Sequence, residues 1–356
     1  SQDELEQIAG EGTAKSSVRD LPIIAATVSS LFLRFLKKNN LMPSSPQIAL
    51  STGDEMKISK QVQEALETNR PVVALESTII SYGLPYPRNI AAAKEFEQQL
   101  IDAGVVPATI GIINGVPTIG LSQDELEQIA GEGTAKSSVR DLPIIAAKGI
   151  NGATTVAATA FLAAKAGIRV FATGGLGGVH QGANETFDES ADLTTLATCP
   201  VVVVSAGVKS VLDISATLER LETLSIPVVG YKTTNFPSFW LPTSDYTLDW
   251  SVDSADEVAT IVFEQQKLGS QAALLIANPV PDDQAWNKTD HDMVLEQAFA
   301  AAKKAGVRGK NVTPFLLDFI VGASNQASLE VNLSLVRNNI LVAGEISKAI
   351  ARGGAY

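Results

Sequence analysis

Short runs of continuously apolar, β-rich residues recur along this chain and alternate with segments that carry helical signals. The runs lie at 71–80, 105–113, 168–173, 200–205, 226–231 and 272–278. Strands that are apolar along their whole length belong in a sheet covered on both faces, so this alternation predicts an α/β fold. We expect a three-layer α/β/α sandwich with a large central mixed sheet.

Helix start and stop signals mark the covering layers. Ser122 with Glu125 has the spacing of a capping box, as has Ser254 with Glu257. No linker rich in proline, glycine or serine interrupts the chain after its first fifty or so residues, which indicates a single domain over 55–356. The predicted helices cover 88–104, 122–130, 153–166, 254–268, 290–305, 314–322 and 327–351.

Residues 1–26 repeat 122–147 without a single difference. A repeat that is kept for packing retains its core and drifts on its surface, so full identity indicates a very recent duplication or an error in the gene model. Residues 122–147 run directly into "KGINGATTVAA" and are interpreted as the native copy. The segment 27–46 is rich in serine and lacks acidic residues, which is typical of a transit peptide or of a disordered tail. We therefore treat 1–54 as an N-terminal extension.

Charge and cysteine content restrict the partners and the compartment. The chain has 39 acidic and 27 basic residues, a net charge of −12, which argues against a nucleic-acid partner because such proteins present a basic face. No run reaches the roughly 20 apolar residues of a membrane span. The single cysteine, Cys199, cannot form an internal disulfide. It indicates a reducing, intracellular compartment, either the cytoplasm or an organelle such as the mitochondrion or peroxisome.

One carboxylate, that of Glu76, stands inside the apolar run "PVVALESTII". Burying a lone ionised carboxylate is costly, so such a group is usually paired, neutralised or in functional use. Glu76 is therefore a candidate functional acid.

The segment "IRVFATGGLGGVHQGANETFDESADL", 168–193, places a glycine-rich loop after a predicted strand. Such a loop permits close approach of a ligand, although its glycine order fits neither a dinucleotide fingerprint nor a P-loop, and a plain turn is the alternative. His180 follows, and then Asp188 and Asp192, which would share one face of a helix. Their oxygens suit Mg²⁺ or Mn²⁺, unless they are simply acids at a helix start. The second histidine, His291, lies in the charged stretch "KTDHDM" and is expected on the surface.

Two lysines stand at the ends of apolar segments. Lys209, in "PVVVVSAGVKSVLD", is either a nucleophile toward a carbonyl carbon in a low-dielectric pocket or a side chain that reaches solvent. Lys136 lies beside two serines and Arg140 in "GTAKSSVRD", a combination that suits either a phosphate group or a solvated loop. Asn332 and Asn339, on the last predicted helix, are polar core residues or ligand contacts.

These blocks together resemble the pseudouridine-5′-phosphate glycosidase family. The matching stretches follow the family's order over about 55–350 and include "PVVALESTIISYGLPYPRN", "GIRVFATGGLGGVH", "TFDESADL", "SAGVKSVLD" and "NNILVAGEI". The resemblance implies a three-layer α/β/α fold, a homotrimer and a divalent metal, usually Mn²⁺. It also implies the reaction, in which the C–C glycosidic bond of pseudouridine 5′-phosphate is cleaved to uracil and ribose 5-phosphate.

The same resemblance implies roles for particular residues. Lys209 would be the covalent nucleophile on ribose C1′, Glu76 the proton donor and Asp188 a metal ligand. A Schiff base of Lys209 would act as an electron sink, while an apolar environment would keep a proton on Glu76 near neutral pH. The positions implied to contact the substrate are Lys136, Val156, His180, Ser190, Ala191, Asp192 and Asn332.

The chain departs from the family pattern in two places. The block "STIISHG" reads "STIISYG" here, so Tyr82 replaces a histidine and cannot shuttle protons at pH 7. Asn325 and Gln326 replace a glycine pair, which predicts a different backbone path. Lys15 duplicates Lys136 without its sequence context and is expected to have no role.

Alternative functions are a Schiff-base aldolase or lyase acting on another sugar phosphate, and a non-catalytic sugar-phosphate-binding protein.

Overall fold

The computed structural model describes residues 56–308 and 312–353. The N-terminal extension predicted over 1–54, with its duplicate segment and Lys15, lies outside the described residues. The strands, β1 to β13 in chain order, are Lys57–Ile58, Val72–Leu75, Val106–Ile113, Val116–Ile119, Ala135–Ser137, Gly152–Thr154, Val170–Ala172, Val179–His180, Val202–Ser205, Leu212–Asp213, Val228–Tyr231, Ser251–Val252 and Leu274–Ala277. The α-helices, α1 to α12, are Lys60–Glu67, Arg88–Asp102, Gln123–Ala130, Leu142–Lys148, Val156–Ala166, Ala183–Thr186, Ala191–Leu196, Ile214–Thr223, Ala255–Lys267, Lys288–Ala305, Val312–Ala323 and Ala327–Arg352.

Eleven of these strands form one mixed sheet. Its order is β1-β4-β3-β2-β7-β9-β13-β11-β12, with β6 also paired to β3 and β5 paired to β6. From β3 to β12 along this order all neighbours are parallel, whereas β3 runs antiparallel to β4 and β6. Strands β8 and β10 form a separate antiparallel pair. The predicted mixed sheet is therefore confirmed.

Helices lie on both sides of the sheet, as a three-layer sandwich requires. Helix α12 packs against β2, β7 and β9 and contacts α2 and α9, while α5 packs against β2, β3 and β4 and contacts α7. All residues of β2, β7, β9 and β13 are buried. The continuously apolar runs thus correspond to strands that are covered on both faces.

Helix starts follow the capping signals in the sequence. The Ser122 hydroxyl accepts from the Glu125 N–H, and the Glu125 carboxylate accepts from the Ser122 N–H at 2.8 Å, so the capping box of α3 is complete. At α9, Ser254 likewise accepts from the N–H of Glu257, but the Glu257 carboxylate accepts from the N–H of Asp253 instead. Within 56–308 and 312–353, no helix combines the length and the hydropathy needed to span a bilayer.

The strand expected over 71–80 ends earlier than predicted. Strand β2 stops at Leu75, and a short π-helical turn occupies Ile79–Gly83. Between them, the buried Ser77 donates its hydroxyl to the carbonyl of Ile110 at 2.7 Å, which draws the chain away from the strand direction. Hydrophobicity alone could not locate this boundary, because a buried strand and a buried turn of helix share the same apolar composition.

His291 is buried, contrary to the surface position expected for it. Only 3% of the residue is exposed, and its ring packs edge-on against Trp240 and Trp286. Its Nδ1 lies 2.8 Å from Oδ1 of the neighbouring Asp292. The charged residues around it in sequence lie on the outer face of α10, whereas His291 faces inward. A mostly charged segment of helix can therefore contain one buried position.

Desolvation lowers the pKa of His291, while Asp292 acts in the opposite direction. The unfolded chain therefore takes up a proton at this histidine near pH 6.5, and the folded chain only at lower pH. We expect the free energy of unfolding to fall as the pH drops below about 6.5, by at most about 1.4 kcal/mol per pH unit from this group. Urea denaturation at several pH values should show a shallower dependence in His291→Phe than in the wild type; equal slopes would contradict this assignment.

Candidate active site

One cavity of about 480 Å³ lies beyond the carboxyl ends of β2, β7 and β9. In a largely parallel sheet the loops at these ends are where ligands bind. All the residues singled out from the sequence as catalytic, substrate-binding or metal-binding line this cavity: Glu76, Lys136, Val156, His180, Asp188, Ser190, Ala191, Asp192, Lys209 and Asn332. The structure thus brings them together, while their individual roles remain predictions.

Glu76 directly follows β2 and is 9% exposed. Its surroundings are not the apolar ones expected from the sequence, because hydroxyl groups donate to both oxygens of the carboxylate. Thr173 donates to Oε1 and Thr78 to Oε2. Thr78 lines the cavity and Thr173 is buried behind it, so the carboxyl group is oriented from two sides.

Two buried asparagines support the end of β7, from which Thr173 reaches Glu76. The Asn339 amide nitrogen donates to the Thr173 carbonyl at 2.7 Å, and the Asn339 oxygen accepts from Asn278 at 2.9 Å. Asn339 is fully buried, so of the two alternatives left open it is a polar core residue. Asn332 instead lines the cavity, and its side-chain oxygen accepts from the Trp240 indole N–H at 2.6 Å.

The glycine-rich loop after β7 is needed for close packing. A Cβ atom at Gly177 would lie 2.3 Å from the Ser190 hydroxyl oxygen, closer than any real contact. The Gly177 N–H donates to the Asp192 carboxylate at 2.8 Å, and the N–H of Ala157 near the start of α5 donates to the other oxygen at 2.9 Å. Asp192 therefore joins the glycine-rich loop to α5.

The sequence-based arrangement of Asp188 and Asp192 on one helical face is wrong. Helix α7 begins at Ala191 with Ser190 as its N-cap, whose hydroxyl accepts from the Asp192 N–H at 3.2 Å. Asp188 precedes the helix, and its carbonyl accepts from the N–H of His180 at 3.0 Å. A spacing of four places two residues on one face only where both belong to the helix. Both oxygens of Asp192 already accept backbone N–H groups.

The donor set suits a metal ion held mostly by water. Among the described residues, no group of three or more His, Cys, Asp and Glu side chains is placed to hold a metal. Asp188 is half-buried and lines the cavity, and in the part of the chain that the structure describes nothing donates to its carboxylate. Mg²⁺ and similar ions commonly keep several waters and use one or two carboxylates. The residues present therefore fit a hydrated divalent cation on Asp188.

Basic groups gather on the cavity wall. Lys136, Arg140, His180 and Lys209 all line it. Desolvation lowers the pKa of Lys136 and the charge of Lys209 lowers it further, while nearby carboxylates act in the opposite direction. Desolvation also lowers the pKa of His180, with Asp188 opposing and both lysines reinforcing the shift. His180 is therefore neutral at pH 7, and the other basic side chains on the wall are Lys136, Arg140 and Lys209.

Sequence reasoning missed several residues of the site. The two donors to Glu76 are Thr78, two residues after it, and Thr173, the last residue before the glycine-rich loop; each stands next to a motif that had been singled out. Phe239 and Leu317 also line the cavity. Leu317 lies in "TPFLL", 313–317, a stretch that resembles the family, whereas Phe239 lies in a segment without a motif. Only the folded chain places both side chains in the cavity.

Comparison with known proteins places most of the described part of the chain in one family. Residues 61–349 match the family model described as indigoidine synthase A like protein. A protein of Saccharopolyspora erythraea named pseudouridine-5′-phosphate glycosidase is 56% identical over 295 residues, which are 83% of this chain and 97% of the relative. A protein of the same name from Escherichia coli K12 is 48% identical over 299 residues, 83% of this chain and 96% of the relative.

Two solved structures share the fold. Prealnumycin C-glycosynthase AlnA, in complex with ribulose 5-phosphate, has a TM-score of 0.79 and 33% identity, covering 85% of this chain and 98% of AlnA. An indigoidine synthase A (IdgA)-like protein from Thermotoga maritima has a TM-score of 0.77 and 37% identity, covering 84% of this chain and 98% of that protein. Both likenesses extend over the sheet and its covering helices.

Proposed function

Because this chain belongs to the family of indigoidine synthase A like proteins and is about half identical to pseudouridine-5′-phosphate glycosidases, we propose that it cleaves pseudouridine 5′-phosphate to uracil and ribose 5-phosphate. The observation that supports this best is the single cavity lined by an amine, Lys209, and an acid, Glu76. Two groups that must act on one bond have to reach the same bound molecule, and these two line the same cavity, Glu76 after β2 and Lys209 after β9.

The leaving atom makes this reaction unusual among glycoside cleavages. Ordinary glycosidases use two carboxylates and expel an oxygen or nitrogen atom. Here the bond between ribose C1′ and uracil C5 must break, and C5 needs a proton as it departs. The Lys209 amine bonds to C1′ as the bond from C1′ to the ring oxygen breaks, and the proton that the attacking nitrogen loses passes to that oxygen. The Lys209 nitrogen, now bonded to C1′, then supplies the electron pair that forms a C=N bond to C1′ as the bond to C5 breaks. The product on the opened sugar is a Schiff base.

Glu76 completes the cleavage as the general acid. It delivers its proton to C5 as the C1′–C5 bond breaks, and the resulting carboxylate accepts the hydroxyls of Thr78 and Thr173. Water then adds to the Schiff base and releases ribose 5-phosphate with free Lys209. The net reaction consumes one water and needs no oxidant or reductant.

The phosphate group is assigned to the loop around β5. Lys136, Ser138 and Arg140 line the cavity there, and cations beside a hydroxyl group match the charge and hydrogen-bonding needs of a phosphate. AlnA, a structural relative, was solved with a sugar phosphate, ribulose 5-phosphate. The overall acidity of the chain does not oppose such a site, because local basic groups determine the field inside a cavity.

We also propose that Asp188 holds Mn²⁺ or another divalent cation. The bound ion supplies positive charge and ordered waters that orient the uracil. Asp188→Asn is expected to weaken binding of Mn²⁺ by about tenfold or more, because the charge of the carboxylate ligand is lost. Calorimetric titration with Mn²⁺ alone measures this, with Asp253→Asn, an exposed aspartate outside the cavity, as the matched control. Equal Mn²⁺ affinity in Asp188→Asn and the wild type would exclude Asp188 as the ligand.

The reaction itself is tested by uracil release from pseudouridine 5′-phosphate, with and without Mn²⁺. Turnover of this substrate in preference to other phosphosugars is the expected result. Preference for a sugar phosphate without a pyrimidine would favour a Schiff-base aldolase or lyase. Binding without turnover would favour a non-catalytic sugar-phosphate-binding protein.

A homotrimer in a reducing intracellular compartment completes the proposal. The single cysteine, Cys199, is buried and free, as expected of a protein that does not depend on disulfides. Val116, Ile144 and Ile150 leave apolar surface exposed, and the last two lie on and just after α4. Such surface suits contact between subunits. Light scattering on the purified chain tests the assembly, and a monomer would contradict it.

A further inference from the structure

Strand β5, which carries Lys136, is held by a neighbouring strand on one edge only among the described residues. It pairs with β6. On that side the Ala135 N–H donates to the Asn151 carbonyl at 3.0 Å, and the Ser137 carbonyl accepts from the Thr155 N–H at 3.0 Å. Successive backbone groups of a strand point to opposite edges. The carbonyl of residue 134 and the N–H of residue 136 therefore face the other edge, where no described strand lies.

The Tyr82 side chain occupies that edge. Its hydroxyl donates to the Thr134 carbonyl at 2.5 Å, and the backbone N–H of Lys136 lies near enough to the same phenolic oxygen to lower its pKa, against the larger effect of desolvation. The phenol thus takes the place of a neighbouring strand at this edge, where it satisfies the carbonyl of residue 134. Tyr82 belongs to the π-helical turn Ile79–Gly83, on the cavity wall next to Glu76, and lines the cavity itself.

We propose that Tyr82 is a positioning residue, which places the Lys136 ammonium group in the cavity and so strengthens binding of a sugar phosphate. The inference relies on the proposed function for the identity of the ligand. It explains how Tyr82 can replace the histidine of the block "STIISHG". The position then requires a side chain that forms a hydrogen bond to β5, and it does not require proton transfer. Desolvation raises the pKa of Tyr82, so its hydroxyl stays protonated and remains a donor throughout the neutral range.

The turn that carries Tyr82 has its own supports. The Ser81 hydroxyl donates to the Ile129 carbonyl at 2.7 Å, and the Asn89 amide donates to the Ile80 carbonyl at 3.0 Å. Removing the phenolic hydroxyl therefore leaves the turn in place and breaks only its link to β5. Tyr82→Phe is the variant that does this with the least change of shape. Tyr86→Phe, in the same segment and 76% exposed, is the matched control.

The first measurement is the affinity of ribose 5-phosphate by calorimetry, which needs no turnover. Tyr82→Phe is expected to bind about threefold to tenfold more weakly than the wild type, as for loss of one hydrogen bond. Tyr86→Phe should bind within about twofold of the wild type. With pseudouridine 5′-phosphate, KM should rise more than kcat falls in Tyr82→Phe. A loss of kcat at unchanged ribose 5-phosphate affinity would overturn the inference.

A second background tests whether Tyr82 acts through Lys136. In Lys136→Met, adding Tyr82→Phe should change ribose 5-phosphate affinity by less than about twofold, because the group being positioned is gone. An undiminished effect in that background would overturn the inference. If the wild type binds ribose 5-phosphate but releases no uracil, the proposed reaction fails while this test still stands. If the wild type does not bind ribose 5-phosphate, both the ligand assignment and the role of Tyr82 are wrong.

Discussion

Lys209→Ala is expected to reduce uracil release from pseudouridine 5′-phosphate by at least about a thousandfold. Without the amine no bond to C1′ can form, and no electron sink is available when the bond to carbon breaks. The backbone around Lys209 is held without its side chain, since its N–H donates to the Leu176 carbonyl at 3.1 Å and its carbonyl accepts from the Leu212 N–H at 2.9 Å. The variant should therefore fold normally, which circular dichroism and thermal unfolding can check.

The exposed Lys148, outside the cavity, provides the control for this substitution. Lys148→Ala is expected to release uracil at a rate within about twofold of the wild type. Borohydride reduction in the presence of ribose 5-phosphate should leave an adduct on Lys209, located by peptide mass spectrometry. An adduct on Lys136 instead, or wild-type turnover by Lys209→Ala, would assign the covalent step to a different residue.

Glu76→Gln is expected to lower kcat by about a hundredfold to ten-thousandfold, with a much smaller change in KM. Glutamine has nearly the shape of glutamate and still accepts a hydroxyl hydrogen bond on its oxygen, but it cannot deliver a proton to C5. The loss should therefore fall on the chemical step. Single-turnover measurement of uracil release at saturating substrate separates this effect from binding.

The chain contains a closely matched control for Glu76. Glu97, on α2, is 8% exposed, against 9% for Glu76, and it too accepts a threonine hydroxyl, that of Thr109 at 2.6 Å. It does not line the cavity. Glu97→Gln should therefore leave kcat within about twofold of the wild type. Equal losses of kcat in both variants would show that replacing a buried glutamate harms the fold. A wild-type kcat in Glu76→Gln would exclude Glu76 as the general acid.

Much of the fold could be predicted because its signals are local. The continuously apolar runs located β3, β9, β11 and β13 to within a few residues, and capping boxes located the starts of α3 and α9. The errors arose where a side chain acts outside its own segment. Strand β2 stops before Glu76 because the following residues bond to other elements, and His291 is buried because α10 turns that one position inward.

The candidate site divides in the same way. Residue type, order and neighbouring motif were enough to single out Lys209, Glu76 and Asp188, because the sequence blocks around them are distinctive. The contacts among the site residues could not be predicted from the sequence, because they depend on which strand ends lie side by side in the sheet. Several hydrogen bonds of the site join segments that are far apart in sequence. Tyr82 bonds to the residue before β5, Asp192 joins the glycine-rich loop to α5, and Asn339 supports Thr173, which bonds to Glu76. Only packing of the sheet and its helices brings such partners within hydrogen-bond distance.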